Sequence, residues 1–235
     1  MHTYILQIET STSVCSVALV ESERVCQSES LNEPNVHASQ LTILIQDLLD
    51  LEHIGFGELS AVAVSMGPGS YTGLRIGVST AKGLCYALDI PLIAVNTLDG
   101  LYEGFKTDRK ESALYDLYIP MLDARRMEVY CAAFDKTGDL VSNTAALIID
   151  ETSFDQYRDH YPRICLFGPG ADKLEALFVN TKGITIVPGI QTNAVAISRS
   201  VFQKYQMKDF EDIAYFEPYY LKDFVATVAK KSPSL

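Results

Sequence analysis

One order of segments occurs twice along this chain, and no other feature restricts the fold as tightly. In the first half, "TYILQIET", "SVCSVALVE" and "RVCQSESL" are apolar, β-branched or alternating runs joined by short polar turns, which reads as a three-strand meander. From His37 the apolar positions Leu41, Leu44, Ile45, Leu48 and Leu51 fall at helical spacing, with Asn35 or Ser39 as the expected cap. "LSAVAVSM" is short and nearly all apolar, as a strand buried on both faces would be. A helix is expected over 71–88. "IPLIAVN" is a second buried strand, and a short helix starts at "TLDGLYEG" with Thr97 as its cap. In the second half, "LYDLYIPMLDA", "MEVYCAAFD" and "LVSNTAALII" repeat the meander. A helix at "FDQYRDHY" follows, then strand, glycine turn and helix in "RICLFGPGADKLEALF", a strand at "GITIVPG" and a helix at "NAVAISRSVFQKYQ". The architecture repeats; no residue-level repeat accompanies it.

The polar, charged stretch "GFKTDRKESA" separates the two halves and predicts lobes at 1–107 and 108–235. The last segment, "YFEPYYLKDF", is too aromatic for a disordered tail; whether it crosses back onto the first lobe is open. A duplicated β-β-β-α-β-α unit is an α/β layout shared with the two-lobed actin-like (ASKHA) class, in which two such lobes face a nucleotide cleft. A fold class carries no function by itself.

Composition narrows the partners. A formal net charge of −11 opposes nucleic-acid binding by this chain alone, because phosphate backbones demand clustered Lys and Arg. The basic residues are scattered, densest at Arg125–Arg126 and Lys230–Lys231. Five cysteines form no CxxC pair, and four of them sit among apolar neighbours, as buried thiols do. The start, "MHTYILQIET", has no basic region ahead of a long apolar stretch. No run reaches the roughly 18 residues that span a bilayer, so a cytoplasmic protein without membrane contact is expected.

The stretch "SMGPGSYTGLRIGVS" has the look of a phosphate loop, but Gly73 is followed by Leu74 where a Walker loop needs lysine, and the G-x-G-x-x-G spacing fails as well. What remains is a strand-to-helix turn capped by Ser70. Inside the helix, Gly73, Gly77 and Ala81 form a smooth stripe at i, i+4 and i+8. Each helical glycine costs about 1 kcal/mol relative to alanine, so close packing must offset it, against either a neighbour in this chain or a helix of another. Actin-like phosphotransferases place an Asp and a glycine-containing turn after the first strand; here Glu9 is followed by Thr10, Ser11 and Thr12, which lack the close backbone approach glycine permits. His37 has Leu41 at i+4, where a helical metal site would need a second ligand. "LDARRMEVY" gathers Asp123, Arg125, Arg126 and Glu128, either as ion pairs at a strand turn or as charge facing the interlobe cleft. There is no G-x-S-x-G, and the cysteines lack basic activators.

In these segments ("ILQIETSTSVCSVAL", "HASQLTILIQDLL", "GPGSYTGLRIGVSTAKGL", "DARRMEVY", "FGPGADKL" and "FEPYYLKDF") the chain resembles the TsaB family, a degenerate, glycoprotease-like relative of the tRNA threonylcarbamoyl transferase TsaD. The resemblance implies a scaffold without catalytic residues, working with TsaD and the ATPase TsaE to make threonylcarbamoyladenosine in tRNA. It also implies a dead metal site at His37 and Leu41, since TsaD-like proteins carry two histidines there. tRNA would be met only through the complex. No cofactor is expected on this chain alone, and ATP or ADP is expected, if anywhere, at the junction with TsaD. The expected interface, used for a homodimer when the partner is absent, is His37, Leu41, Leu44, Ile45 and Leu48 on the first helix with Tyr71, Gly73, Leu74, Gly77, Val78 and Ala81 on the second. A nucleotide-site remnant is expected at Glu9, Thr10, Ser11 and Thr12 with Gly168 and Gly170. The rivals are an active actin-like small-molecule kinase, with Glu9 on magnesium and "FGPGADKL" on adenosine, and a metallopeptidase.

Overall fold

The computed structural model describes residues 2–22, 24–33 and 36–222. Its ten strands form two five-stranded sheets of identical topology. In the first, β1 (Tyr4–Glu9), β2 (Val14–Glu21), β3 (Arg24–Asn32), β4 (Leu59–Gly67) and β5 (Leu92–Asn96) lie in the order β3-β2-β1-β4-β5. In the second, β6 (Leu117–Asp123), β7 (Glu128–Asp135), β8 (Leu140–Ile148), β9 (Ile164–Phe167) and β10 (Ile184–Val187) lie in the order β10-β9-β6-β7-β8. Within each sheet the first three strands are antiparallel, and the fourth and fifth are parallel to the first. This is the α/β duplication the strand pattern predicts. β4 is buried on both faces, as its unbroken apolar run requires.

Two long helices, α1 (His37–Leu51) and α2 (Tyr71–Leu88), cover one face of the first sheet. Leu41, Leu44, Ile45 and Leu48 of α1 join Leu6, Ile8, Val62 and Val64 from the strands in one core. Burying each such leucine or isoleucine contributes about 1.5–3 kcal/mol. Ser70 caps α2 by accepting from Gly73 N–H at 3.3 Å. Val36 holds the N-cap position of α1 and makes no side-chain cap bond, Ser39 lies inside the first turn, and Asn35 lies outside the described residues.

The two lobes exchange helices. α3 (Thr97–Asp108), read from sequence as the end of lobe 1–107, buries Leu98, Leu101, Tyr102 and Phe105 against Tyr118, Phe134 and Phe167 of the second sheet. Its cap is Asn96, which accepts from Leu98 N–H at 2.9 Å, rather than Thr97. Conversely, a 3₁₀ turn (Ala194–Ile197) and α6 (Ser198–Met207) come from the second half, yet Ile197 and Val201 pack on Ile5, Ala63 and Val95 of the first sheet. Among the described residues, the other face of the second sheet has short cover, α4 (Asp155–Arg158) and α5 (Glu175–Phe178). The helix expected at "FDQYRDHY" is therefore a single four-residue turn.

Residues 209–222 cross back over the first lobe. Glu211 N–H donates to Leu92 O at 2.9 Å and Tyr219 N–H to Met66 O at 2.8 Å. Lys82 Nζ donates to Phe216 O at 2.8 Å, and Tyr220 stacks on Tyr71 with ring centroids 4.8 Å apart. The strap then returns to the second lobe, where Lys222 pairs with Glu128.

Candidate functional site

In an actin-like protein the turn after the first strand is where phosphate chemistry begins. Here that turn is closed. Glu9 is 2% exposed, and Thr10 and Ser11 are buried beside it. Ser11 N–H donates to one Glu9 carboxyl oxygen at 2.6 Å, and the Ser65 hydroxyl of β4 donates to the other. Burial pushes the Glu9 carboxyl above its ordinary range, and the hydrogen bonds from Ser11 and Ser65, with a smaller electrostatic pull from His37, oppose the shift without reversing it.

The lid over the turn is the start of α2. Ser70 N–H donates to Ser11 O at 2.6 Å. A Cβ on Gly73 would stand 2.1 Å from Thr10 O, and one on Gly77 would stand 2.1 Å from Thr10 Oγ1. These two glycines therefore bring the helix onto the first strand's turn in the same chain. A phosphate cannot reach the Glu9 carboxyl or the Thr10 and Ser11 hydroxyls in this packing, so these residues do not fit a nucleotide phosphate or its metal. Thr12 is bound to Thr192, Oγ1 to Oγ1 at 2.8 Å.

The interface expected from the sequence is corrected by the same geometry. Leu41, Leu44, Ile45, Leu48, Gly73, Leu74, Gly77, Val78 and Ala81 all face the chain's own core, Tyr71 is half-buried under Tyr220, and His37 is buried with Nε2 3.3 Å from Val14 O. The surface α1 and α2 turn outward is a different one. It carries Ile43 (49% exposed) and Leu51 (55%) on α1, and Arg75, Ser79, Gly83, Tyr86 (83%) and Ala87 on α2. Ser79, Gly83 and Ala87 form a second smooth stripe, two residues and so about 200° around the helix from the first. A Cβ on Gly83 meets nothing within 4 Å.

The second lobe has a counterpart of each part of this site. Gly67-Pro68-Gly69 follows β4 and Gly168-Pro169-Gly170 follows β9, the equivalent strand, with Gly67 at φ +117° and Gly168 at φ +96°. This Gly-Pro-Gly pair is a residue-level repeat, contrary to the expectation that only the order of elements repeats. Gly170 seats on β6, with N–H donating to Met121 O at 3.0 Å, and Gly168 lies against the same strand; no hydrogen bond among the described residues joins either glycine to Glu9–Thr12. The β6–β7 hairpin is the equivalent of the closed turn, but it is open. Arg125 and Arg126 are exposed and left-handed, at φ +73° and +53°, a backbone cost of about 1–2 kcal/mol each for non-glycine residues. Asp123 pairs with Lys173 and Glu128 with Lys222, which settles the ion-pair reading for the acids but leaves both arginines without a partner among the described residues.

Other chemistry is poorly served. Burial pushes the Cys15 and Cys85 thiols up to about 11 and Cys131 up to about 12, so each stays protonated and non-nucleophilic at neutral pH. Cavities of about 180 and 320 Å³ flank the crossing of α3 and the 194–199 segment; neither is lined by the closed turn or by Gly168 and Gly170. Among the described residues, no three His, Cys, Asp or Glu side chains converge as a metal site, and no helix is long and apolar enough to cross a membrane.

Two duplicated lobes with exchanged helices define the actin-like class, here in a form whose first phosphate turn is closed. The family model of tRNA N6-adenosine threonylcarbamoyltransferase (TsaD) matches residues 34–216, and the chain belongs to that family, in its TsaB branch. TsaB of Escherichia coli K12, a tRNA threonylcarbamoyladenosine biosynthesis protein, is 36% identical over 132 residues, 56% of this chain and 55% of that one. The structure of YeaZ from Pseudomonas aeruginosa superposes with a TM-score of 0.74 at 25% identity, covering 93% of this chain and all of the other. A polyphosphate/ATP-glucomannokinase from Arthrobacter, at 13% identity and TM-score 0.50 over 87% of this chain and 99% of its own, shares the fold alone. The chain spans about half the length of the curated relatives it matches.

Proposed function

We propose that this chain is a non-catalytic scaffold in the synthesis of N6-threonylcarbamoyladenosine, in tRNAs reading codons that start with A. It pairs with a TsaD-like transferase and activates it, with a TsaE-like ATPase supporting turnover in the cytoplasm. The observation that carries this reading is the closed turn: the one carboxylate an actin-like phosphotransferase would use, Glu9, is buried under Ser65 and the start of α2. The outward faces of α1 and α2 supply the docking surface, and the same faces pair two copies of the chain when the transferase is absent. Any ATP or ADP held at the junction takes its phosphate ligands from the transferase. An actin-like kinase would need Glu9 open to a metal, and a metallopeptidase would need a second ligand where Leu41 enters the core. The test is ATP turnover by the purified chain. Background hydrolysis, equal in wild type and Glu9→Gln, is expected; Glu9-dependent turnover would return the chain to the kinases.

A further inference from the structure

The duplication sets two strand-to-strand turns in equivalent places, and they have opposite fates. The turn of residues 10–13 is sealed by α2, whereas the β6–β7 hairpin projects Arg125 and Arg126 into solvent. Both arginines sit in the left-handed region where Asn and Gly are the favoured hairpin residues. Nothing in the fold rewards that choice, because neither guanidinium has a hydrogen-bond or ion-pair partner among the described residues. The acids on either side do not neutralise them either. Asp123 is taken by Lys173 and Glu128 by Lys222, so these six side chains (Asp123, Arg125, Arg126, Glu128, Lys173, Lys222) sum to +2 in a chain whose formal charge is −11.

The hairpin's backbone indicates what kind of anion fits. Ala124 N–H is spent on Glu128 O, Arg125 N–H on the Asp123 carboxylate and Glu128 N–H on Arg125 O. The amides of Arg126 and Met127 have no acceptor among the described residues, and neither arginine is sheltered. Two exposed forks side by side suit an extended polyanion, met at the surface through its phosphates. We propose that Arg125 and Arg126 contact the phosphate backbone of tRNA when this chain is held in its complex with the transferase. This rests on the function proposed above and adds a direct contact to it. The overall acidity of the chain keeps it from holding tRNA alone, so the arginines add to binding that the transferase provides.

The experiment compares wild type with Arg125→Asn/Arg126→Gly, both in complex with the TsaD-like transferase, binding an unmodified tRNA transcript across a KCl series. The variant restores favoured hairpin residues, so the chain is expected to melt at a higher temperature than wild type. Its complex is expected to bind tRNA roughly 5- to 20-fold more weakly near 0.1 M salt, with the log K against log [KCl] slope shallower by about 1.5–2, the share of two phosphate contacts. An unchanged slope would overturn the inference. So would a variant that assembles poorly with the transferase but leaves the slope intact, which would make the arginines a contact for an acidic protein. A wild-type chain that forms no complex with the transferase would instead remove the proposed function, and this inference with it.

Discussion

Glu9 sits in the first sheet among groups that satisfy it without opening it to solvent: Ser11 N–H and Ser65 Oγ donate to its two oxygens, and α2 closes over the turn beyond. Because burial raises its folded-state affinity for a proton above that of the unfolded chain, the fold binds more protons than the unfolded state between the two values. Its contribution is therefore complete at low pH and is lost as pH rises through the raised native value, at up to about 1.4 kcal/mol per pH unit. Glu9→Gln keeps an acceptor for Ser11 and gives Ser65 a donor, so the variant is expected to fold and to show a flatter stability-against-pH profile by urea unfolding. A variant that instead loses stability relative to wild type as pH rises would mean that Glu9 is ionised and stabilising. Gly77 makes the opposite case, since any side chain there meets Thr10 Oγ1. Gly77→Leu should cost about 3 kcal/mol or more through overpacking, measured by the same unfolding curves. Loss of partner binding in that variant would report on folding, not on docking.

At the scale of elements, the docking claim belongs to the outward faces of α1 and α2, and Gly83 tests it. It lies mid-helix with open space around its Cα. Gly83→Ala should stabilise the isolated chain by about 0.5–1 kcal/mol, while Gly83→Leu should leave the isolated chain folded and weaken transferase binding at least tenfold by calorimetry. Retained affinity with Leu at 83 would place the interface elsewhere. The sequence carried the period of both small-residue stripes but not which one looks outward. The clue was the neighbours, because Leu74, Val78 and Cys85 share a face with Gly73, Gly77 and Ala81 and mark it as the core side. The strands were readable because burial on both faces leaves runs as plain as "LSAVAVSM". The helices of the second half were less so, since α4 and α5 are single turns of four residues, too short to show a helical period. Asn96 outcompetes Thr97 as a cap through its reach to Leu98 N–H, which a one-residue shift in the strand's end decides.

Across the whole molecule, the exchange of α3 and α6 between sheets was not legible in the chain, because it is settled by contacts a hundred residues apart. Gly100 and Gly104 of α3 admit Ile197 and Ala196 at the crossing; added Cβ atoms would stand 2.5 and 2.8 Å from those side chains. The exchange and the strap of residues 209–222 tie both lobes to the base of α2, where the closed turn lies. A protein so fastened is suited to presenting a fixed surface to a partner. The most direct test is the rate at which the TsaD-like transferase, with its ATPase, modifies tRNA as this chain is titrated in. Saturable activation is predicted, preserved by Glu9→Gln and abolished by Gly83→Leu. Activation lost in Glu9→Gln with the complex intact, or a transferase indifferent to the chain, would contradict the account.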